Sequence, residues 1–142
     1  MNKYIANELS FSLPSNWTDQ SVNIFAVGTT PPLPLSFVIS RDYLKPNEEL
    51  VDKVEAQLKM LEKKLRSFRI IEKRQTQVGS KVALEAEFTW VADNGPMHQR
   101  QQYVRHHNQI LTFTATAPVK IGEEQMEQLE LLLSSVQFHD EE

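Results

Sequence analysis

Between Phe11 and Phe25 (FSLPSNWTDQSVNIF), and again between Ser36 and Pro46 (SFVISRDYLKP), polar and apolar residues alternate with the period of a β-strand. A strand with one solvated face keeps its apolar residues on the other. Here Ser21, Asn23 and Phe25 share one side while Val22, Ile24 and Ala26 share the opposite side, so apolar residues stand on both. A small sheet built this way either covers both faces or keeps one for a partner.

The pattern predicts a strand over residues 4–13 ending at Pro14, a turn at Pro14-Ser15-Asn16 just before Trp17, and a second strand over 21–27. Residues 28–34 hold three prolines and read as a loop, since proline cannot donate within a central strand. A third strand follows over 35–41. The period then changes. Pro46-Asn47-Glu48-Glu49 reads as a helix start, with Asn47 as N-cap and Glu48, Glu49 and Asp52 at the positive end of the dipole. Val51, Val54, Leu58, Leu61, Leu65 and Phe68 recur at alternating spacings of three and four, one apolar stripe over about five turns. Lys63, Lys64 and Arg66 suit its C-terminal end.

Four more strands are predicted, over 70–78, 81–90, 99–106 and 109–117, with reversals at Asp93-Asn94-Gly95-Pro96 and His107-Asn108. In the second of these, Val82, Leu84, Ala86, Phe88 and Trp90 oppose Ala83, Glu85, Glu87 and Thr89. In the last, Leu111, Phe113 and Ala115 oppose Ile110, Thr112, Thr114 and Thr116. A closing helix over 123–136 turns Met126, Leu129, Leu132, Leu133 and Val136 inward. The sum is an α+β fold: one domain over residues 1–142, with a curved, mostly antiparallel sheet, a long helix after the third strand and a C-terminal helix.

Composition narrows the chemistry. A net charge of −4 with interspersed signs offers no basic face for nucleic acid. The absence of cysteine removes disulfides and thiolate sites and fits a reducing compartment. No apolar run approaches a membrane span, and MNKY leads into a strand pattern rather than a secretory leader, so the expected location is the cytoplasm. His106 and His107 are adjacent and would point to opposite faces of a strand, and His98 and His106 could share a face but find no nearby Asp or Glu to complete a ligand set, so no metal is expected. There is no G-x-S-x-G, no phosphate-cradling glycine array and no serine beside a histidine. Neither an enzyme nor a cofactor is expected.

What remains is polar. Gln99-Arg100-Gln101-Gln102 lies within a strand, and Gln57 sits on the shoulder of the helical stripe. A glutamine on the rim of an apolar groove offers two donors and an acceptor to a bound segment. Arg100 has a structural alternative, pairing with Glu85 or Glu87 across the sheet.

The series Phe11-x-Leu13-Pro14-x-x-Trp17-x-Asp19-x-Ser21-x-Asn23-x-Phe25, then Ser36-Phe37-Val38-Ile39-Ser40-Arg41-Asp42, Gln57-Leu58 with Leu61, and Gln99-Arg100-Gln101, resembles the Eag chaperones, the effector-associated proteins of bacterial type VI secretion systems. The likeness runs from about Phe11 to Phe138. It implies a DcrB/Mog/PsbP-like fold and a homodimer. It also implies that the protein shields the N-terminal transmembrane helices of a PAAR-containing effector in a hydrophobic groove before export. Mapped by motif, the groove would comprise Val22, Ile24, Val38, Gln57, Leu61, Leu65 and Gln101, with the choice between Gln101 and Gln102 open. The alternative is a Mog-like regulatory module that binds a folded partner through charge.

Overall fold

The computed structural model describes residues 2–5, 8–17, 20–27 and 35–139. The segment expected as one strand over 4–13 is two: β1 (Asn2–Ile5) and β2 (Ser10–Leu13) pair antiparallel, with Tyr4 opposite Phe11. Doubling back lets the segment satisfy its own backbone groups. Strands β3 (Asn23–Val27), β4 (Leu35–Tyr43), β5 (Arg69–Val78), β6 (Lys81–Ala92), β7 (Gly95–His106) and β8 (Gln109–Pro118) form a six-stranded sheet in the order β3-β4-β8-β7-β6-β5, every pair antiparallel. The proline-rich loop expected over 28–34 lies outside the described residues.

Helix α1 (Leu50–Lys64) follows β4, as its period required, but its start differs. Glu49, not Asn47, is the N-cap. Asn47 takes φ 65° in a tight turn, where Glu48 N–H donates to Lys45 O at 3.0 Å and Lys45 N–H donates to Glu48 Oε1 at 2.9 Å. Asparagine suits both a cap and a left-handed turn, and here the turn wins. The stripe shifts accordingly: Leu50, Val54, Leu58 and Leu61 face the sheet, whereas Val51 is exposed. The helix closes at Leu65, and Ser67 adopts φ 56°, so Phe68 lies beyond the helix and returns to meet Phe88 with ring centroids 5.0 Å apart.

Residues directly opposite in an antiparallel pair share a face, so the register divides the core in two. On one face α1 buries Leu44, Ala86, Phe88, Tyr103 and Ile110. On the other, α2 (Glu123–Ser134) buries Val78, Ala83, Val104 and Phe113 through Leu129 and Leu133. Leu132, expected to point inward, is exposed. It lies 100° from Leu133 around the helix, off the line made by Met126, Leu129 and Leu133.

The β5–β6 reversal depends on Gly79. Its φ is +57°, its N–H donates to Leu133 O at 2.8 Å, and an added Cβ would lie 2.2 Å from Val136 O. Gly79→Ala is therefore expected to lower stability by about 2 kcal/mol or more, from the left-handed backbone and the displaced C-terminal segment together. A urea unfolding midpoint unchanged from the parent would contradict this.

Candidate functional site

Helix α1 crosses its face of the sheet on a diagonal. Near its start Lys53 Nζ lies 3.5 Å from Asp42 Oδ2 at the end of β4. Just past its last turn Arg66 Nη2 donates to Ala92 O at 3.2 Å and Val91 N–H donates to Arg66 O at 2.9 Å, at the end of β6. Six strands span roughly 24 Å at about 4.8 Å per step, and a helix with side chains is about 10–12 Å thick. One helix therefore covers half the face. Among the described residues nothing covers the β3, β4 and β8 half.

The register sets out this open half row by row. Ile24, Val38, Thr114, Gln101 and Ala86 form one line across the sheet, running from the open edge to beneath α1. Beside it runs Ala26, Ser36, Thr116, Gln99 and Phe88. Where this surface meets α1 there is a cleft of about 250 Å³, with Gln57, Lys53 and Val54 on the helix side and Ser40, Thr112, Thr114 and Gln101 on the floor.

A polar ladder crosses the floor. Tyr103 Oη donates to Gln101 Oε1, Gln101 Nε2 donates to Gln99 Oε1 at 3.0 Å, and Gln99 Nε2 donates to Thr116 Oγ1 at 2.9 Å. Burial pushes the Tyr103 hydroxyl well above its ordinary pKa, so it remains a donor. Each amide in the ladder keeps one N–H and a lone pair in reserve. The side chains of Gln57, Thr112 and Thr114 make no hydrogen bond with another described residue.

The structure brings most of the expected groove residues together. Ile24 is 70% exposed, Val38 and Gln57 are half-buried, and Gln101 is buried on the floor. Val22 is exposed just before β3 begins. Leu61 packs instead into the core under α1, because its place on the stripe aims it at the sheet, and Leu65 is the half-buried C-cap of α1. Gln102 stands on the opposite face, 2% exposed. Thr112 and Thr114 escaped the sequence reading. Their signal was present, since three alternate threonines share one side of β8, but strand threonines are common and carried no distinction.

The opposite face holds a different kind of polarity. Arg100 Nε donates to Glu85 Oε1 at 2.8 Å, its Nη2 pairs with Glu130 of α2, and Gln102 Nε2 donates to the same Glu85 oxygen at 2.8 Å. Arg74 Nε completes the cluster 2.6 Å from Glu85 Oε2. Burial works against the Arg100 charge, but Glu130 and Glu85 outweigh it and raise its pKa. His98 Nδ1 accepts the Ile121 N–H at 2.8 Å, so its proton sits on Nε2 and is donated to Glu87 Oε2 at 2.7 Å. Arg100 and His98 thus anchor α2 and the segment before it. His107, expected to point away from His106, falls in the β7–β8 turn with φ 58°, and the two rings lie 4.4 Å apart. Among the described residues no three His, Cys, Asp or Glu converge as a metal site, and no helix is long and apolar enough to cross a membrane.

Residues 8–135 match the family model DcrB. The chain belongs to the DcrB family. It is also 29% identical over 117 residues to Effector EagT6 of Pseudomonas aeruginosa, covering 82% of this chain and 81% of that protein. The likeness to the Eag proteins is thereby borne out, and it supports an effector-associated chaperone of type VI secretion. Among solved structures, PA94 of Pseudomonas aeruginosa superposes with a TM-score of 0.83 at 24% identity, covering 99% of both chains. LpqN of Mycobacterium tuberculosis, involved in cell envelope biogenesis, gives 0.60 at 12% identity over 84% of this chain and 85% of its own. A cyanobacterial PsbP from Synechocystis sp. PCC 6803 gives 0.50 at 13% identity, covering 95% and 88%. These three share the fold, and the expected PsbP-like α+β architecture is what the DcrB-family chain adopts.

The two polar sets should respond differently to mutation. Arg100→Ala, which leaves Glu85 buried with less compensation, is expected to cost about 3 kcal/mol. Gln57→Ala, which removes no internal partner, should stay within about 0.5 kcal/mol. Chemical denaturation of both variants separates the anchoring face from the open one, and equal losses would contradict the division.

Proposed function

We propose that this protein is a chaperone that holds the N-terminal transmembrane helices of a PAAR-containing type VI effector against the open half of the α1 face, in the cytoplasm, before export. The observation that carries the reading is that half-covered face, with exposed Ile24 and half-buried Val38 beside Gln57, Thr112 and Thr114, whose side chains have no hydrogen-bond partner among the described residues. The kinship with EagT6 supports it. No catalytic step and no cofactor enter.

The physics suits such a ligand. A membrane-spanning helix exposes about twenty apolar residues in water, and each Å² taken from water against Ile24 and Val38 stabilises the complex by roughly 25 cal/mol. Polar residues on the helix are costly to bury without partners. The spare amide groups of Gln57 and Gln101 and the free hydroxyls of Thr112 and Thr114 supply them. The open patch is about three strands wide and five residues long, roughly 15 by 17 Å, whereas a bilayer-spanning helix is about 30 Å long. That mismatch favours a homodimer in which two patches act on one effector.

Ile24→Asp is the clean test, because a side chain this exposed can be changed with little cost to folding. The variant is expected to keep its circular dichroism and unfolding midpoint and to recover at least about tenfold less of the effector's N-terminal region in co-purification. Undiminished capture by folded Ile24→Asp and Val38→Asp proteins would remove this reading. Leu61→Asp is not equivalent, since it places a charge in the core under α1.

A further inference from the structure

Gln101 stands on the floor of the cleft between Gln99 and Tyr103, which share its face of β7 and lie about 6.7 Å from it in opposite directions along the strand. Tyr103 is 2% exposed, and its hydroxyl makes its one hydrogen bond among the described residues to Gln101 Oε1. A buried hydroxyl needs an acceptor, so the Gln101 oxygen faces Tyr103. Its nitrogen then faces Gln99, to whose Oε1 it donates at 3.0 Å. Tyr103 thereby fixes which way round the amide sits, a choice that an unbonded glutamine leaves open.

The hydrogen-bond count leaves a definite remainder. A primary amide has two N–H groups and two lone pairs on oxygen, all in one plane. Neighbours on either side along the strand take the two outward sites, one on each atom. The remaining N–H and lone pair lie side by side at the tip of the side chain, pointing away from its own backbone. Gln101 lines the cleft, and no other described residue bonds to this edge. Gln57, Thr112 and Thr114 line the same cleft with no partner to fix them, so their polar groups can turn. The Gln101 edge is held in place.

A donor beside an acceptor matches the side-chain amide of Asn or Gln, which presents the same pair reversed. A trans peptide places its N–H and C=O on opposite sides and cannot meet both. A hydroxyl must meet both through one oxygen, and a carboxylate has no donor. Accepting the chaperone reading, on which this step rests, we propose that Gln101 recognises an Asn or Gln side chain within the bound apolar helix through paired N–H···O bonds, with Tyr103 as the positioning residue that aims it. Such an amide is costly to bury unpaired, and an edge already fixed by Tyr103 and Gln99 loses little freedom on meeting it. The apolar contact supplies most of the affinity, and the amide pair sets which residue of the helix lies over the cleft.

Three synthetic helices of about twenty leucine and alanine residues, with neutral caps and Leu, Asn or N,N-dimethylasparagine at the middle position, test this. Each is titrated from mild detergent into the 142-residue chain and into its Tyr103→Phe variant. The parent chain is expected to bind the Asn helix about tenfold more tightly than the dimethylated one, which keeps the carbonyl but offers no N–H. In Tyr103→Phe this ratio should fall to about twofold or threefold, because the Gln101 amide regains both orientations. Taking the ratio within one protein cancels any change in overall affinity, and a steric effect of the methyl groups would persist in the variant. Equal binding of the two helices by the parent, or an undiminished ratio in Tyr103→Phe, overturns the proposal, while binding of the Leu helix leaves the groove standing. Absence of binding by all three overturns the groove reading and the proposal together.

Discussion

Everything distinctive in this molecule follows from a mismatch of widths. The sheet has six strands with apolar side chains on both faces, and one helix is only wide enough to cover two or three of them. On one face α1 spends its apolar stripe on Ala86, Phe88, Tyr103 and Ile110 and then ends at Leu65. Nothing of comparable size follows it across β3, β4 and β8 among the described residues. The uncovered row of Ile24, Val38 and Thr114 is thus a geometric remainder of core formation, and evolution has only to choose its side chains.

The two faces resolve their polar groups in opposite ways. Beneath α2, Glu85 is 4% exposed and is satisfied by Arg100, Arg74 and Gln102, while Arg100 reaches on to Glu130 of the helix. Such a cluster is costly to break and fixes where α2 sits. Beside α1 the ladder from Tyr103 through Gln101 and Gln99 to Thr116 is only partly saturated. Residues on adjacent positions of β7, Arg100 and Gln101, therefore serve different ends because the pleat sends them to different faces. A buried, completed network suits architecture, and a half-used one suits a ligand.

How far the sequence could be read depends on the range of the interaction behind each feature. The alternations in β6 and β8 were legible because side-chain direction in a strand has a strict period of two. The long helix was legible from its stripe, but not its first residue, because Asn47 satisfies the preferences of a cap and of a left-handed turn equally well. Leu61 was legible as an apolar position and not as a core residue, since a stripe says that a face is covered and not by what. The motif series brought Ile24, Val38, Gln57 and Gln101 to attention, while Thr112 and Thr114, which line the same cleft, looked like ordinary strand threonines.

By itself, then, the sequence determined the local periods, the α+β class, and through its motif order the kinship with the Eag proteins. Only the tertiary structure decided which strands neighbour one another. That register aligned Ile24 with Val38, Thr114 and Gln101, sent Gln102 to the far face, and left the β3 side of the sheet uncovered among the described residues, with Lys53 of α1 paired to Asp42 of β4. The physical reason is that faces and rows belong to pairs of strands. Residues 24, 38, 101 and 114 become one surface only through hydrogen bonds between segments far apart in the chain, which no local pattern encodes.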